Sequence, residues 1–207
     1  MIISFEGLDG CGKSTQIGLL TVKLQETGKK VAVLREPGGN PISEKIREML
    51  LDKKNMSMSK ETELLLYTAS RAQLVREEIE PLLNDDTIII LDRFADSTTA
   101  YQGYGRGLDL NIIGVLNKFV TSNFEFMPDL TFFLDMPAEK SLSRVLSRGE
   151  EINRMESSDK EFFERVRNGF IEISKNEPER VICINASESV INVFSQIENV
   201  LKLRDIL

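Results

Sequence analysis

Short apolar runs recur along the chain, and between them apolar residues return every three or four positions. The runs are Met1-Ile2-Ile3-Ser4-Phe5, Val31 to Leu34, Thr87 to Leu91, Leu130 to Leu134 and Val181 to Ile184. Continuous, β-branched runs such as Thr87-Ile88-Ile89-Ile90-Leu91 predict strands buried on both faces, as in a parallel sheet. Helices are predicted from Ser14 to about Thr27, with Leu19, Leu20, Val22 and Leu24 as its apolar side and Gly28 as its stop, and from Pro41 to Leu51. A polar connection from Asp52 to Lys60 leads to a long helix, about Glu61 to Leu83, interrupted near Pro81. Further helices are predicted near Asn111 to Ser122, Ala138 to Arg148, Asp159 to Lys175 and Val190 to Leu203. Gly149 to Met155 is charged and has no regular apolar period. Repeated strand–helix units imply an α/β fold in three layers, a parallel sheet of about five strands with helices on both faces. No repeat or low-complexity linker divides the 207 residues, which predicts a single domain over 1–207.

In such a sheet, ligands gather beyond the carboxyl ends of the strands. The first end leads into Gly7-Leu8-Asp9-Gly10-Cys11-Gly12-Lys13-Ser14, followed by Thr15 and the first helix. Strand, G-x-x-x-x-G-K-S, then helix is the context a phosphate-binding P-loop requires, which a chance glycine-rich turn would lack. The glycines let the backbone wrap an anion, with loop and helix N–H groups pointing at it. Lys13 is placed to reach the β- and γ-phosphates of a nucleoside triphosphate, and the Ser14 hydroxyl to ligate Mg²⁺. Beyond the second strand stands Arg35-Glu36-Pro37, and beyond the third Asp92-Arg93-Phe94. Asp92 occupies the place of a Walker B carboxylate, able to hold Mg²⁺ directly or through water. In isolation it would read as a solvated strand-end acid, and Arg93 as a surface charge. Beside a P-loop, Lys13, Arg93 and Mg²⁺ are the expected catalytic centre of a P-loop NTPase fold.

Composition narrows the chemistry. The chain has no histidine, which excludes imidazole bases, Ser-His-Asp triads and His-ligated metals. Two cysteines, Cys11 and Cys183, cannot build a structural zinc site, and free thiols are expected. A net charge of −7 argues against a nucleic-acid partner that relies on general basicity. No apolar run approaches the ~18 residues of a membrane span. A first strand beginning at Met1 leaves no room for a signal peptide, so a cytoplasmic location is expected.

The P-loop with Thr15, Arg35-Glu36-Pro37-Gly38-Gly39, Tyr67-Thr68-Ala69-Ser70-Arg71, Asp92-Arg93-Phe94, Tyr101-Gln102-Gly103-Tyr104-Gly105-Arg106-Gly107 and Ser147-Arg148-Gly149-Glu150-Glu151-Ile152-Asn153-Arg154 together resemble bacterial thymidylate kinase. The motifs stand in family order over about three quarters of the chain. The resemblance implies transfer of the ATP γ-phosphoryl group to dTMP, giving dTDP and ADP in dTTP biosynthesis, by a homodimer. It implies that Tyr67 stacks on thymine, Arg71 donates to its carbonyl edge, and Ser97 and Gln102 line the base pocket. Tyr101 would lie beside the deoxyribose and Asp9 accept from the 3′-hydroxyl. Arg35 and Arg47 would grip the dTMP phosphate, Glu36 stand at its magnesium end, and Pro37 be cis. The charged segment resembles a lid, about 148–156. Arg144 and Arg148 would serve ATP, and Arg148 and Arg154 the reaction, in place of the P-loop arginine that eukaryotic-type relatives carry where Gly10 stands here. Arg154→Ala is accordingly expected to lower kcat more than ATP binding.

Two positions depart from the family pattern: Phe94 where tyrosine is frequent, and Asn40 where threonine is. A switch GTPase is disfavoured, since Asn117-Lys118-Phe119-Val120 lacks the aspartate of a guanine-reading motif. A non-catalytic nucleotide-binding module, or a kinase acting on a nucleoside or another monophosphate, remain the alternatives. Arg35 and Arg47 favour an acceptor that already carries phosphate.

Overall fold

The computed structural model describes residues 1–83, 85–147, 149 and 151–207. Strands β1 (Ile2–Glu6), β2 (Val31–Arg35), β3 (Ile88–Asp92), β4 (Leu130–Asp135) and β5 (Val181–Asn185) form one parallel sheet in the order β2-β3-β1-β4-β5. Each strand runs one residue past its apolar run, onto Glu6, Arg35, Asp92, Asp135 or Asn185. The ladder therefore carries a polar side chain to the edge of the ligand crevice at every strand. The register sets Phe5 and Arg35 both opposite Asp92, so the ends of β1, β2 and β3 lie level.

Helices α1 (Lys13–Glu26), α2 (Pro41–Leu51), α3 (Lys60–Leu74), α4 (Glu80–Leu83), α5 (Ala95–Thr98), α6 (Leu110–Val120), α7 (Ala138–Leu146), α8 (Lys160–Asn176) and α9 (Val190–Leu203) cover the sheet. Alternate strand residues face opposite layers. Ile3, Phe5, Ile90, Phe132 and Leu134 pack against Ile17, Leu20 and Leu24 of α1 and Val193, Ile197 and Leu201 of α9. Phe133 and Val181 face α8, while Ile2, Ile89 and Leu91 face Leu74, Val75, Ile79 and Phe94. Of the apolar side expected for α1, Leu19 and Val22 are exposed, and Ile17 takes their place in the core. The periodic pattern identified the helix but rotated its buried face.

The helix expected to break near Pro81 does so one turn earlier. Val75–Ile79 widens into a π-helical turn, closed by the Glu80 N–H on the Val75 carbonyl. Pro81 has no N–H to donate and its ring crowds the preceding turn, so the ladder shifts register just before it. A second π-helical segment, Thr99–Gly105, follows α5 and holds Tyr101 and Gln102. Asn40 caps α2, its side chain accepting from the Ser43 N–H at 2.9 Å. That accounts for the asparagine there, since threonine can cap in the same way.

Candidate active site

The loop after β1 is shaped by two close approaches. At Gly7 (φ 134°) an added Cβ would stand 2.6 Å from the Leu134 carbonyl of β4. At Gly10 (φ 82°) it would stand 2.9 Å from the Ser141 carbonyl and 3.2 Å from Arg144 Cβ, both on α7. Position 10 therefore has no room for the arginine of eukaryotic-type relatives. Arg144 instead reaches this loop from α7, donating to the Gly10 carbonyl at 3.3 Å. Lys13 Nζ bridges the loop, donating to the carbonyls of Gly7 at 3.2 Å and Leu8 at 3.0 Å.

Asp9, Gly10, Cys11, Gly12, Lys13, Ser14 and Thr15 line a cleft of about 530 Å³, faced by Arg35, Asp92 and Arg144. Cys11 is buried there with Sγ 3.9 Å from Lys13 Nζ. Ser14 and Asp92 bring only oxygen donors, and no cluster of three potential metal ligands exists among the described residues. Such a donor set suits a hard cation that takes its remaining ligands from phosphate and water.

Asp9, Glu36, Arg47 and Arg93 line this cleft and a second chamber as well. The chamber is completed by Pro37, Tyr67, Ser97, Tyr101 and Gln102, together with Leu51, Thr98, Asn153 and Met155. Arg93 sits at the junction. One guanidinium nitrogen pairs with Asp9 at 2.8 Å and meets the Tyr101 hydroxyl at 3.2 Å, and the other donates to Ser97 at 3.0 Å. The guanidinium lies 5.0 Å over the Tyr101 ring. The Glu36–Pro37 peptide is cis, and the Pro37 carbonyl accepts from Arg47 at 3.0 Å. Burial and the neighbouring Arg35 both lower the pKa of Arg47. Two cations held together in a partly buried cleft are what an anionic ligand relieves. Arg35 itself is exposed and paired with Glu44 at 2.7 Å.

Two expected site arginines line neither the cleft nor the chamber. Arg71 shares a helix face with Tyr67, but that face turns inward at Arg71, which is 0% exposed and lines neither cavity. Glu36 grips it through both carboxylate oxygens, Asn117 accepts at 2.7 Å and Thr98 at 2.6 Å, and the Phe94 ring lies 5.2 Å away. Arg154, expected to serve the reaction from the charged segment, lines neither the cleft nor the chamber. It is 5% exposed, donates to the Leu50 carbonyl at 2.6 Å and pairs with Glu63 at 2.6 Å. The buried Glu63 carboxylate draws it there, together with Arg106 at 3.1 Å and Gln102 at 2.9 Å. Within the segment expected to be a lid, the Arg154 N–H thus donates to the Leu51 carbonyl at the end of α2 at 3.0 Å, and Met155 lies in the core beside Phe162 and Phe163. Arg148 lies outside the described residues.

Comparison with known proteins agrees with these motifs. A family model described as thymidylate kinase matches residues 5–197. The chain belongs to the thymidylate kinase family. The thymidylate kinase of Chlorobaculum tepidum is 49% identical over 90% of this chain and 89% of its own length. That of Geotalea daltonii is 48% identical over 91% of this chain and 90% of its own. A crystal structure of thymidylate kinase from Ehrlichia chaffeensis superposes with a TM-score of 0.78 at 36% identity, covering 97% of this chain and 98% of that one. The fold is accordingly that of the P-loop kinases, and the relatives are phosphotransferases.

Several cleft residues carry no motif in the sequence. Ala186, Glu188, Val190 and Val193, beyond β5, line the donor side with Gln16 and Ser147. The strand-end rule could have found the first two. Glu6, the last residue of β1, lies just past the apolar run that predicted the strand and is fully buried. Burial, and then the carboxylate of Asp96, push its carboxyl from the usual 4.5 up to about 8. The folded protein therefore keeps a proton that the unfolded chain releases once pH exceeds about 4.5. Stability is expected to fall by a few kcal/mol as pH rises from about 4.5 to about 8, and to level off above that. Thermal unfolding of Glu6→Gln, followed over the same range, is expected to lose most of this slope.

Proposed function

We propose that this protein is a dTMP kinase that transfers the γ-phosphoryl group of ATP to dTMP. The observation that carries the reading is the sharing of Asp9, Glu36, Arg47 and Arg93 between the P-loop cleft and a chamber walled by Tyr67, Tyr101 and Gln102. ATP lies along residues 7–15 with Arg144 over the loop, and the acceptor phosphate meets Arg35, Arg47 and Arg93. Tyr67 offers its ring to thymine, Ser97 and Gln102 its polar edge, Tyr101 crowds the sugar and Asp9 takes the 3′-hydroxyl. Arg71 braces Glu36 and Thr98 from behind.

An acceptor phosphate oxygen attacks the γ-phosphorus, the bond to the β–γ bridging oxygen breaks, and ADP leaves. The attacking oxygen already carries negative charge, so no general base is needed. Lys13 and Arg93 hold two anions in line and offset their repulsion. Mg²⁺, held by Ser14 and Asp92, would spread further charge off the transferring group. Arg148 remains a candidate to reach the phosphates.

The same reading carries a cytoplasmic location and a homodimer. Ile112, Val115 and Phe119 on one face of α6 are 56, 68 and 79% exposed, a surface suited to a second copy. The test is ADP release from Mg²⁺–ATP with dTMP, dUMP, UMP, CMP, AMP or thymidine as acceptor. Turnover with dTMP and none with thymidine is expected, and preference for thymidine would overturn the acceptor assignment. Thymine and uracil differ by one methyl group, worth about 1–3 kcal/mol in an apolar pocket. Hence kcat/KM for dUMP is expected to be about 10–200-fold below that for dTMP.

A further inference from the structure

Glu6 lines neither cavity, yet its carboxyl holds two points of the segment that follows β3. One oxygen accepts from the Phe94 N–H at 2.7 Å, and the other is hydrogen-bonded to the Ser97 hydroxyl at 2.5 Å. Ser97 Oγ in turn accepts from the Arg93 guanidinium at 3.0 Å. On the other side of the turn, the Arg93 N–H donates to the Phe5 carbonyl at 3.0 Å. Arg93 is thus pinned to β1 through its own main chain and, by way of Glu6, through its successor and its side chain. Between these pins it has φ 71°, a left-handed conformation that a non-glycine residue adopts only under constraint. The turn aims its guanidinium at Asp9 and Tyr101.

The charged groups around Glu6 are Arg93 and Asp96. Arg180 holds both oxygens of Asp96 at 2.8 Å, so that carboxylate has its own partner. A side chain that merely filled space under the P-loop would not need two hydrogen bonds aimed at one turn.

Resting on the dTMP kinase reading, we infer that Glu6 is a positioning residue for phosphoryl transfer. Through Phe94 and Ser97 it sets the main chain and guanidinium of Arg93 where the two substrates' phosphates meet, and it touches neither substrate. Its two contacts are hydrogen bonds that a neutral amide can also satisfy, one by accepting and one by donating.

The test compares wild type, Glu6→Ala and Glu6→Gln by kcat with dTMP, ATP affinity by calorimetry, and thermal unfolding. Glu6→Ala is expected to lose about 30–100-fold in kcat, the scale of an ångström's misplacement, with ATP Kd within about threefold of wild type. Glu6→Gln is expected to retain at least about a third of wild-type kcat. A Glu6→Ala protein with near-normal kcat, or one that loses ATP affinity in step with kcat, overturns the inference. So does a Glu6→Gln protein as impaired as Glu6→Ala. Should Glu6→Ala not fold, Ser97→Ala cuts the side-chain link alone and is expected to lower kcat about tenfold, with dTMP Kd within about threefold of wild type; normal kcat there, or a kcat loss matched by a loss of dTMP affinity, overturns the inference. A wild-type protein silent toward dTMP would refute the kinase reading and this inference with it, whereas an active wild type isolates the inference.

Discussion

Arg93→Ala is expected to lower kcat for transfer to dTMP by about 10³-fold or more, the range in which a positioned arginine acts in phosphoryl transfer. ATP binding should change only a few-fold, because Lys13 and the loop N–H groups lie on the other side of the junction. The separation follows from where Arg93 stands. It lines the donor cleft and the acceptor chamber alike, and its two guanidinium nitrogens are held by Asp9, Ser97 and Tyr101. A lysine there would keep the charge but lose the fork that contacts all three, so Arg93→Lys should recover little. The measurement is steady-state kcat beside calorimetric ATP affinity for each variant. A kcat within tenfold of wild type would remove Arg93 from the catalytic centre.

What the sequence revealed and concealed divides along physical lines. Strands and the two helices from Pro41 and from Val190 were legible to the residue or nearly so, because local pattern and capping determine them. The P-loop was legible because phosphate binding fixes the residue type at four of eight adjacent positions. Concealed were choices made by partners distant in the chain. Asn117 was weighed as a piece of a guanine-reading motif and is in fact the buried acceptor for Arg71, 46 residues away. Arg154 stands in a charged, irregular stretch, yet Glu63, buried on α3, draws it inward. Glu6 sits in an apolar strand and gave no sign that two donors beyond β3 converge on it. Charged side chains can face water or a buried counter-charge, and sequence spacing alone does not distinguish the two.

Arg71→Ala separates two roles for that arginine. A residue that only touched the thymine edge would, when truncated, weaken dTMP binding and leave unfolding nearly unchanged. The structure instead makes Arg71 the partner of a buried carboxylate, Glu36, and the donor to Asn117 and Thr98. Removing one member of a buried ion pair costs about 3–5 kcal/mol, since the other charge stays desolvated. For a chain of this size the expected loss is about 6–20 °C in Tm. Burial pushes the Glu36 carboxyl up, with Arg71 opposing it. Once Arg71 is gone, nothing opposes protonation, and the acid turns neutral in the fold while remaining ionised in the unfolded chain. The loss should therefore be smaller at pH 5.5 than at pH 8, where holding Glu36 as an anion, or protonating it, costs most. The double variant Arg71→Met/Glu36→Gln, which removes both charges, should recover much of the lost Tm. If Arg71→Ala unfolds like wild type at both pH values while its dTMP affinity collapses, the ion pair contributes little to stability and the arginine belongs to the base after all.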